Sequence, residues 1–296
     1  MIKKIIEYYY NLYPNYIDKK DEKYIFLANN NLYHFELQTR KEEELERIKK
    51  INDTLNLYNI IIRNRVNRLV SQYANKNYVL IKIIKSKRGL NFNDVLNTVE
   101  LIDNRNNKLL MRNNWGNLWI NKIDNIEYQY LHLKNKYPLI DESLNYYIGM
   151  CETAISYFNS IEYNNIRNYI SHIRVNDNED IVEFYNPQNI IIDSRVRDVA
   201  EYLKSLFMNN YQNLPNIIQN LNKCNFNDDE LKLLFCRLNY PSYYFDLYDL
   251  VINGKKEDSE IASIITKNKL YKEFLKKIYM IISKKNNIKS IEWVTK

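Results

Sequence analysis

The sequence predicts an α+β protein of two lobes: a small, strand-rich lobe over residues 1–88 and a larger, mainly helical lobe over residues 89–296. Three observations carry the prediction. Residues 1–84 hold four runs rich in β-branched and aromatic residues, alongside one charged helical stretch. The basic segment Lys85-Ser86-Lys87-Arg88-Gly89 then breaks the pattern with one of only four glycines in the chain, and reads as a hinge. Beyond it, apolar residues recur three and four apart over long stretches, the spacing of helices that bury one face.

Each element has its own signal. Residues 1–13 read as an amphipathic helix with Ile2, Ile5, Ile6, Tyr9 and Leu12 on one side. Residues 24–28 and 32–38 read as strands, and Asn29-Asn30-Asn31 as the hairpin turn between them, because asparagine tolerates positive φ. Residues 41–57 form a charged helix with Leu45, Ile48, Ile51 and Leu55 inward, and residues 60–65 and 78–84 are two more strands. Past the hinge come a helix over 92–103, a turn over 113–117, and helices over 118–136 and 142–160. Residues 171–175 read as a strand. The tail is helical, with Leu231, Leu234, Phe235 and Leu238 in one stripe and Ile261, Ile264, Ile265, Phe274, Ile278 and Ile281 lining later helices. This order matches a two-lobed, protein-kinase-like fold in which nucleotide lies between the lobes.

Composition removes several function classes. At 45% hydrophobic and 27% charged, the chain is an ordinary globular protein. No Gly-rich phosphate motif occurs. The net charge of +7 is dispersed and interleaved with acids, as across Arg40–Arg47, so a nucleic-acid surface is not expected. Three cysteines (Cys151, Cys224, Cys236) and three histidines (His34, His132, His172) lack metal spacing, and the odd cysteine count suits a reduced compartment. No secretory signal or membrane-spanning run is visible.

Residues 184–204 concentrate the chemistry. Asn186-Pro187 is a turn signal, and Asn189-Ile190-Ile191-Ile192 reads as a buried strand ending in Asp193. The helix that follows has Val196, Val199, Ala200, Leu203 and Leu206 on one face. A strand-end carboxylate either caps the next helix or holds Mg²⁺, which takes one or two hard oxygens plus substrate phosphates.

Residues 115–127, 147–158, 170–174, 184–204 and 240–250, with the closing Ile291-Glu292-Trp293, together resemble the spore-coat-associated, kinase-like proteins of endospore-forming Firmicutes. These are the CotS and YutH type, relatives of the aminoglycoside and choline phosphotransferases. The resemblance covers most of the chain and is weakest over residues 1–60. It implies an aminoglycoside-phosphotransferase-like fold and a role in the mother cell or the coat during sporulation.

The resemblance also implies a degenerate site. The catalytic loop of active relatives aligns with Ser171-His172-Ile173-Arg174, so that His172 keeps a structural histidine while Arg174 stands where the catalytic carboxylate belongs. A guanidinium cannot accept a proton. Arg174 is expected to bind phosphate, or to pair with Asp193 and block magnesium. Asp177 and Asp180 are the substitutes that a loop shift would bring in. Asp193 matches the magnesium aspartate and Asn189 the metal-ligand asparagine by type, although the usual hairpin between them is missing. Asp198 is either a structural aspartate or a favourable charge at a helix N-terminus. The Asn29-Asn30-Asn31 turn has no glycine to let backbone approach phosphate, and residues 32–38 carry no lysine. Lys82 reads as a surface or hinge residue. Glu42, Glu43, Glu44 and Glu46 read as a solvated face.

Two functions follow. The first is a pseudokinase that acts as a binding or scaffold protein in endospore coat assembly, with other coat or sporulation proteins as partners. The second is an active phosphotransferase for small molecules or proteins, with ATP and Mg²⁺ as cofactors and a rearranged site. A third possibility, from the residues alone, is a helical interaction module with a basic face.

Overall fold

The computed structural model describes residues 1–101, 108–112, 114–162, 166–209, 214–221, 224–284 and 288–295. Helix α1 (Ile2–Tyr10) stops earlier than the periodicity predicts, because Asn11 turns left-handed (φ 55°) and its N–H closes on the Glu7 carbonyl. Strands β1 (Ile17–Lys20), β2 (Lys23–Ala28), β3 (Asn31–Leu37), β4 (Ile60–Ile62), β5 (Val70–Tyr73) and β6 (Lys76–Ile83) form an antiparallel sheet. Its order is β1-β2-β3-β6-β4, with β5 also on β6. Asn29 and Asn30 turn between β2 and β3 with φ of 49° and 60°. The sequence reading missed β1 and β5. Ile17-Asp18-Lys19-Lys20 has no apolar alternation, and β5 is four residues with one buried.

Alternation buries both faces of the sheet. Tyr33, Phe35, Tyr78 and Leu80 face α1 and form a small core with Ile6 and Leu12. Val79 and Ile81 point the other way and join the main core with Leu45 and Ile48 of α2 (Glu42–Leu55).

The chain leaves β6 through residues 84–91, where Gly89 bridges to Asp180. Helices α3 (Phe92–Leu96), α4 (Trp115–Leu133) and α5 (Pro138–Phe158) follow. Next come β7 (Tyr169–His172), the short α6 (Ile181–Phe184) and β8 (Ile190–Asp193), which pairs antiparallel with β7. The remainder is α7 (Val196–Asn209), α8 (Leu214–Leu221), α9 (Asp228–Asn239), α10 (Ser242–Ile252), α11 (Ala262–Ile265), α12 (Asn268–Ile282) and α13 (Glu292–Thr295).

Several boundaries move. The helix expected over 92–103 ends at Leu96, because the next residues pair with β7 instead: Ile170 N–H donates to the Val99 carbonyl and Leu101 N–H to that of Asn168, both at 2.9 Å. Positions 102 and 103 lie outside the described residues. The turn expected over 113–117 gives way to the start of α4 at Trp115, with Asn113 outside the described residues. Helix α5 starts at Pro138, whose missing N–H costs nothing at a first helical position.

Candidate functional site

A cleft of about 880 Å³ lies between the sheet, the 84–91 connection and the β7–β8 loop, within the size range of small-molecule sites. The sheet contributes Lys23, Ile25, Leu32, His34 and Glu36, which share one face by the register of β2 and β3. The turn at its mouth is Asp21-Glu22, between β1 and β2. The first hairpin is therefore this one, and not the Asn29–Asn30 turn that the sequence suggested. It still holds no glycine, and its two carboxylates are exposed, with Glu22 paired to Lys76.

The β7–β8 loop is pinned to the sheet by polar ties. Asn186 Nδ2 and Gln188 Nε2 donate to Glu36 Oε1 at 2.7 and 2.9 Å. Thr39 N–H donates to Gln188 Oε1 at 2.8 Å, and Arg40 Nε donates to the Gln188 carbonyl at 2.9 Å. Asn186-Pro187 makes this possible locally: Asn186 Oδ1 accepts from Gln188 N–H at 2.9 Å and sets a tight turn that aims Gln188 at the sheet.

His172 is a structural residue. It is 2% exposed, packs against Phe184 with ring centroids 3.8 Å apart and planes tilted by 33°, and donates through Nδ1–H to Asp198 Oδ2 at 2.7 Å. With that proton on Nδ1, Nε2 accepts from the Tyr58 hydroxyl at 3.2 Å. Asp198 also accepts from His172 N–H at 3.0 Å and is fully buried, so its work is to hold this loop and not merely to sit at a helix N-terminus.

Arg174 does not meet Asp193. Its side chain is 67% exposed and pairs at 2.6 Å with Asp246 of α10. Asn189 spends its amide on the Arg174 backbone, accepting from its N–H and donating to its carbonyl, each at 3.0 Å. Asp177 accepts from Ser205 and Asn209 of α7, both at 2.7 Å, and stays out of the cleft lining. Asp180 lines the cleft but caps α6, accepting from Val182 N–H at 2.9 Å.

Asp193 is 3% exposed and does not line the cleft. Trp115 Nε1 donates to its Oδ2 at 2.7 Å, Arg237 Nη2 reaches both oxygens at 2.9 and 3.1 Å, and Ser194 N–H donates to Oδ1 at 2.7 Å. Arg197 lies 3.8 Å away. Both guanidinium carbons sit over the Trp115 ring, at 4.6 and 4.7 Å. Burial pushes the Asp193 carboxyl up, and Arg237 and Arg197 pull it back. Both expectations for this residue fail. It does not cap α7, since its backbone contact is the adjacent N–H. It also does not fit Mg²⁺, because guanidinium and indole donors occupy the lone pairs a metal needs. Asn189 immediately precedes β8 and Asp193 ends it, so the two stand at opposite ends of one strand, and the Asn189 amide is already used by the Arg174 backbone. Among the described residues no group of three or more His, Cys, Asp or Glu could hold a metal.

Beside Arg174, Asp180 and Asn189, the cleft is faced by Lys23, Glu36, Glu179 and Glu183, which were not singled out in the sequence. Lys23 Nζ lies 2.5 Å from Glu183 Oε1 and 3.2 Å from Glu36 Oε2. Burial works against its charge, but Glu36 and Glu183 outweigh burial and hold its pKa above the ordinary value. His34 is pushed down by burial and by Lys23. Glu179 is pushed up to about 7, first by burial and then by Glu183 and Asp198. One of these pairings is countable from sequence. Partners step outward from the Asn29–Asn30 turn, so Lys23 must face Glu36. Glu179 and Glu183 carried no such signal. Of the α2 acids, Glu46 pairs with Arg63 at 2.6 Å and Glu44 lies 3.6 Å from Arg40, and neither lines the cleft.

A family model described as "Spore coat putative kinase YutH" matches residues 3–278. No curated protein matches the chain. Among solved structures, an aminoglycoside phosphotransferase from Alicyclobacillus acidocaldarius superposes with a TM-score of 0.65 at 10% identity, over 91% of this chain and 93% of that one. Spectinomycin phosphotransferase APH(9)-Ia in its AMP-bound complex gives 0.64 at 11% identity, over 96% and 97%. Amicoumacin kinase hAmiN, in complex with AMP-PNP, Ca²⁺ and Ami, gives 0.54 at 11% identity, over 98% and 95%. At such identities the likeness establishes the two-lobed phosphotransferase fold and nothing finer.

Proposed function

The chain belongs to the YutH family of spore-coat, kinase-like proteins, and from that premise we propose that it is a kinase-fold binding protein of the endospore coat that does not transfer phosphoryl groups. The surroundings of Asp193 carry this reading. The carboxylate that the resemblance matches to the metal ligand is sealed beneath Arg237, Arg197 and Trp115, while Arg174, which the resemblance aligns with the proton acceptor, faces solvent and Asp246. Losing one oriented catalytic group typically costs about 10² to 10⁴ in rate, and phosphoryl transfer relies almost wholly on positioning and charge neutralisation. Other coat or sporulation proteins are the expected partners, in the mother cell or in the coat itself.

One observation favours a second reading. Glu179 faces the cleft with a pKa near 7, which suits a general base. A thermal-shift titration with ATP, with and without Mg²⁺, run beside a phosphate-release assay, separates the two. The binding-protein reading expects no magnesium-dependent shift and no release above the blank. A ligand that binds the native state at a hundredfold excess over Kd adds about 2.7 kcal/mol, so such binding would be plain. Magnesium-dependent release that disappears in Glu179→Gln would establish the phosphotransferase instead.

A further inference from the structure

On the cleft face of β3 stand Leu32, His34 and Glu36, so β3 offers no cation to an anionic ligand. The neighbouring strand does. Lys23 of β2 lies directly across from Glu36, lines the cleft, and has a side chain 22% exposed. Its two carboxylate partners differ in kind. Glu36 is 6% exposed and is fixed by Asn186 and Gln188. Glu183 is 39% exposed at the end of the four-residue α6, and it approaches the ammonium from across the cleft at 2.5 Å. His34 Nδ1 stands 4.0 Å from the same Glu183 oxygen. Arg174 is committed to Asp246, and Lys85 lies over the Tyr185 ring at 4.5 Å. Lys20 and Lys87 also line the cleft, but both are exposed at its rim, whereas Lys23 is half-buried and held between two carboxylates.

We propose that Lys23 is the anion-binding residue of the cleft and that Glu183 withholds it, so that a polyphosphate chain binds by displacing Glu183 from the ammonium. A compact ammonium is a natural phosphate partner. Glu36 stays in place as the anchor that keeps Lys23 charged and aimed. The inference rests on the cleft being a binding site, and it does not require phosphoryl transfer.

The test uses the full chain and two probes, inorganic tripolyphosphate and adenosine, with calorimetric titration of the wild type, Glu183→Gln and Lys23→Met/Glu183→Gln. Glu183→Gln should bind tripolyphosphate more tightly by on the order of tenfold, the size of one charge-assisted hydrogen bond. The gain should vanish in the double variant and shrink as salt is raised. Adenosine binding should be alike in all three proteins. An unchanged tripolyphosphate affinity in Glu183→Gln, a gain that survives loss of Lys23, or an equal gain for adenosine would each overturn the assignment. Phosphate release from ATP, measured on the same proteins, would instead refute the non-catalytic reading and leave the Lys23 assignment standing.

Discussion

Glu179 lies half-buried in a cleft whose nearest charges are mostly carboxylates, and this gives the protein a pH dependence. Burial and the neighbouring Glu183 and Asp198 raise its pKa from 4.5 to about 7. The folded state thus binds this proton more tightly than the unfolded chain does. The associated stability is full below about 4.5 and is lost as pH rises through about 7. Between pH 5 and 8 the urea midpoint of the wild type should therefore fall relative to that of Glu179→Gln. Parallel midpoints would mean that Glu179 is ionised throughout. The family resemblance implied a structural histidine at His172, and the fold holds that ring 2% exposed beside Phe184 and Asp198. For Asp198 the sequence favoured a charge at a helix N-terminus, because only the fold brings that carboxylate within 2.7 Å of the imidazole.

At the scale of elements, Arg237 of α9 ties together parts that are distant in sequence. Its guanidinium binds Asp193 at the end of β8 and lies over Trp115 at the start of α4, with Arg197 of α7 beside it. Removing one partner of a buried ion pair typically costs about 3–5 kcal/mol, because the other charge is left uncompensated. Arg237→Met should lose about that much in urea unfolding, and Arg237→Met/Asp193→Asn should recover much of it. A loss under about 1 kcal/mol in the single variant would mean that Asp193 is neutral. Periodicity had placed Leu231, Leu234, Phe235 and Leu238 on the buried stripe of α9, and all four are buried. It passed over Arg237, since an arginine in an amphipathic helix reads as solvated until a buried carboxylate is known to await it.

Over the whole molecule, the larger of two hydrophobic cores runs from Leu45, Ile48, Val79 and Ile81 into Tyr147, Leu203, Phe235 and Ile278, so the sheet and the helices share an interior. Polar ties from Glu36, Thr39 and Arg40 to Asn186, Gln188 and Ile190 reinforce that junction. Calorimetry should accordingly give a single transition with equal calorimetric and van't Hoff enthalpies, and residues 1–88 expressed alone should not fold cooperatively. Two resolved peaks would show that the parts fold independently. The α+β class, most of the helices, the Asn29–Asn30 hairpin and the lack of a Gly-rich phosphate motif are legible in the amino-acid order alone. These follow from local propensity and from periodicity within a few turns of chain. Three facts came only from the packing of the folded chain: Asp193 is sealed by Arg237, Arg174 pairs with Asp246, and Glu183 meets Lys23. Each of those facts depends on side chains meeting from strands and helices far apart in sequence, and a charge acquires its chemistry from the partners and the burial that the fold provides.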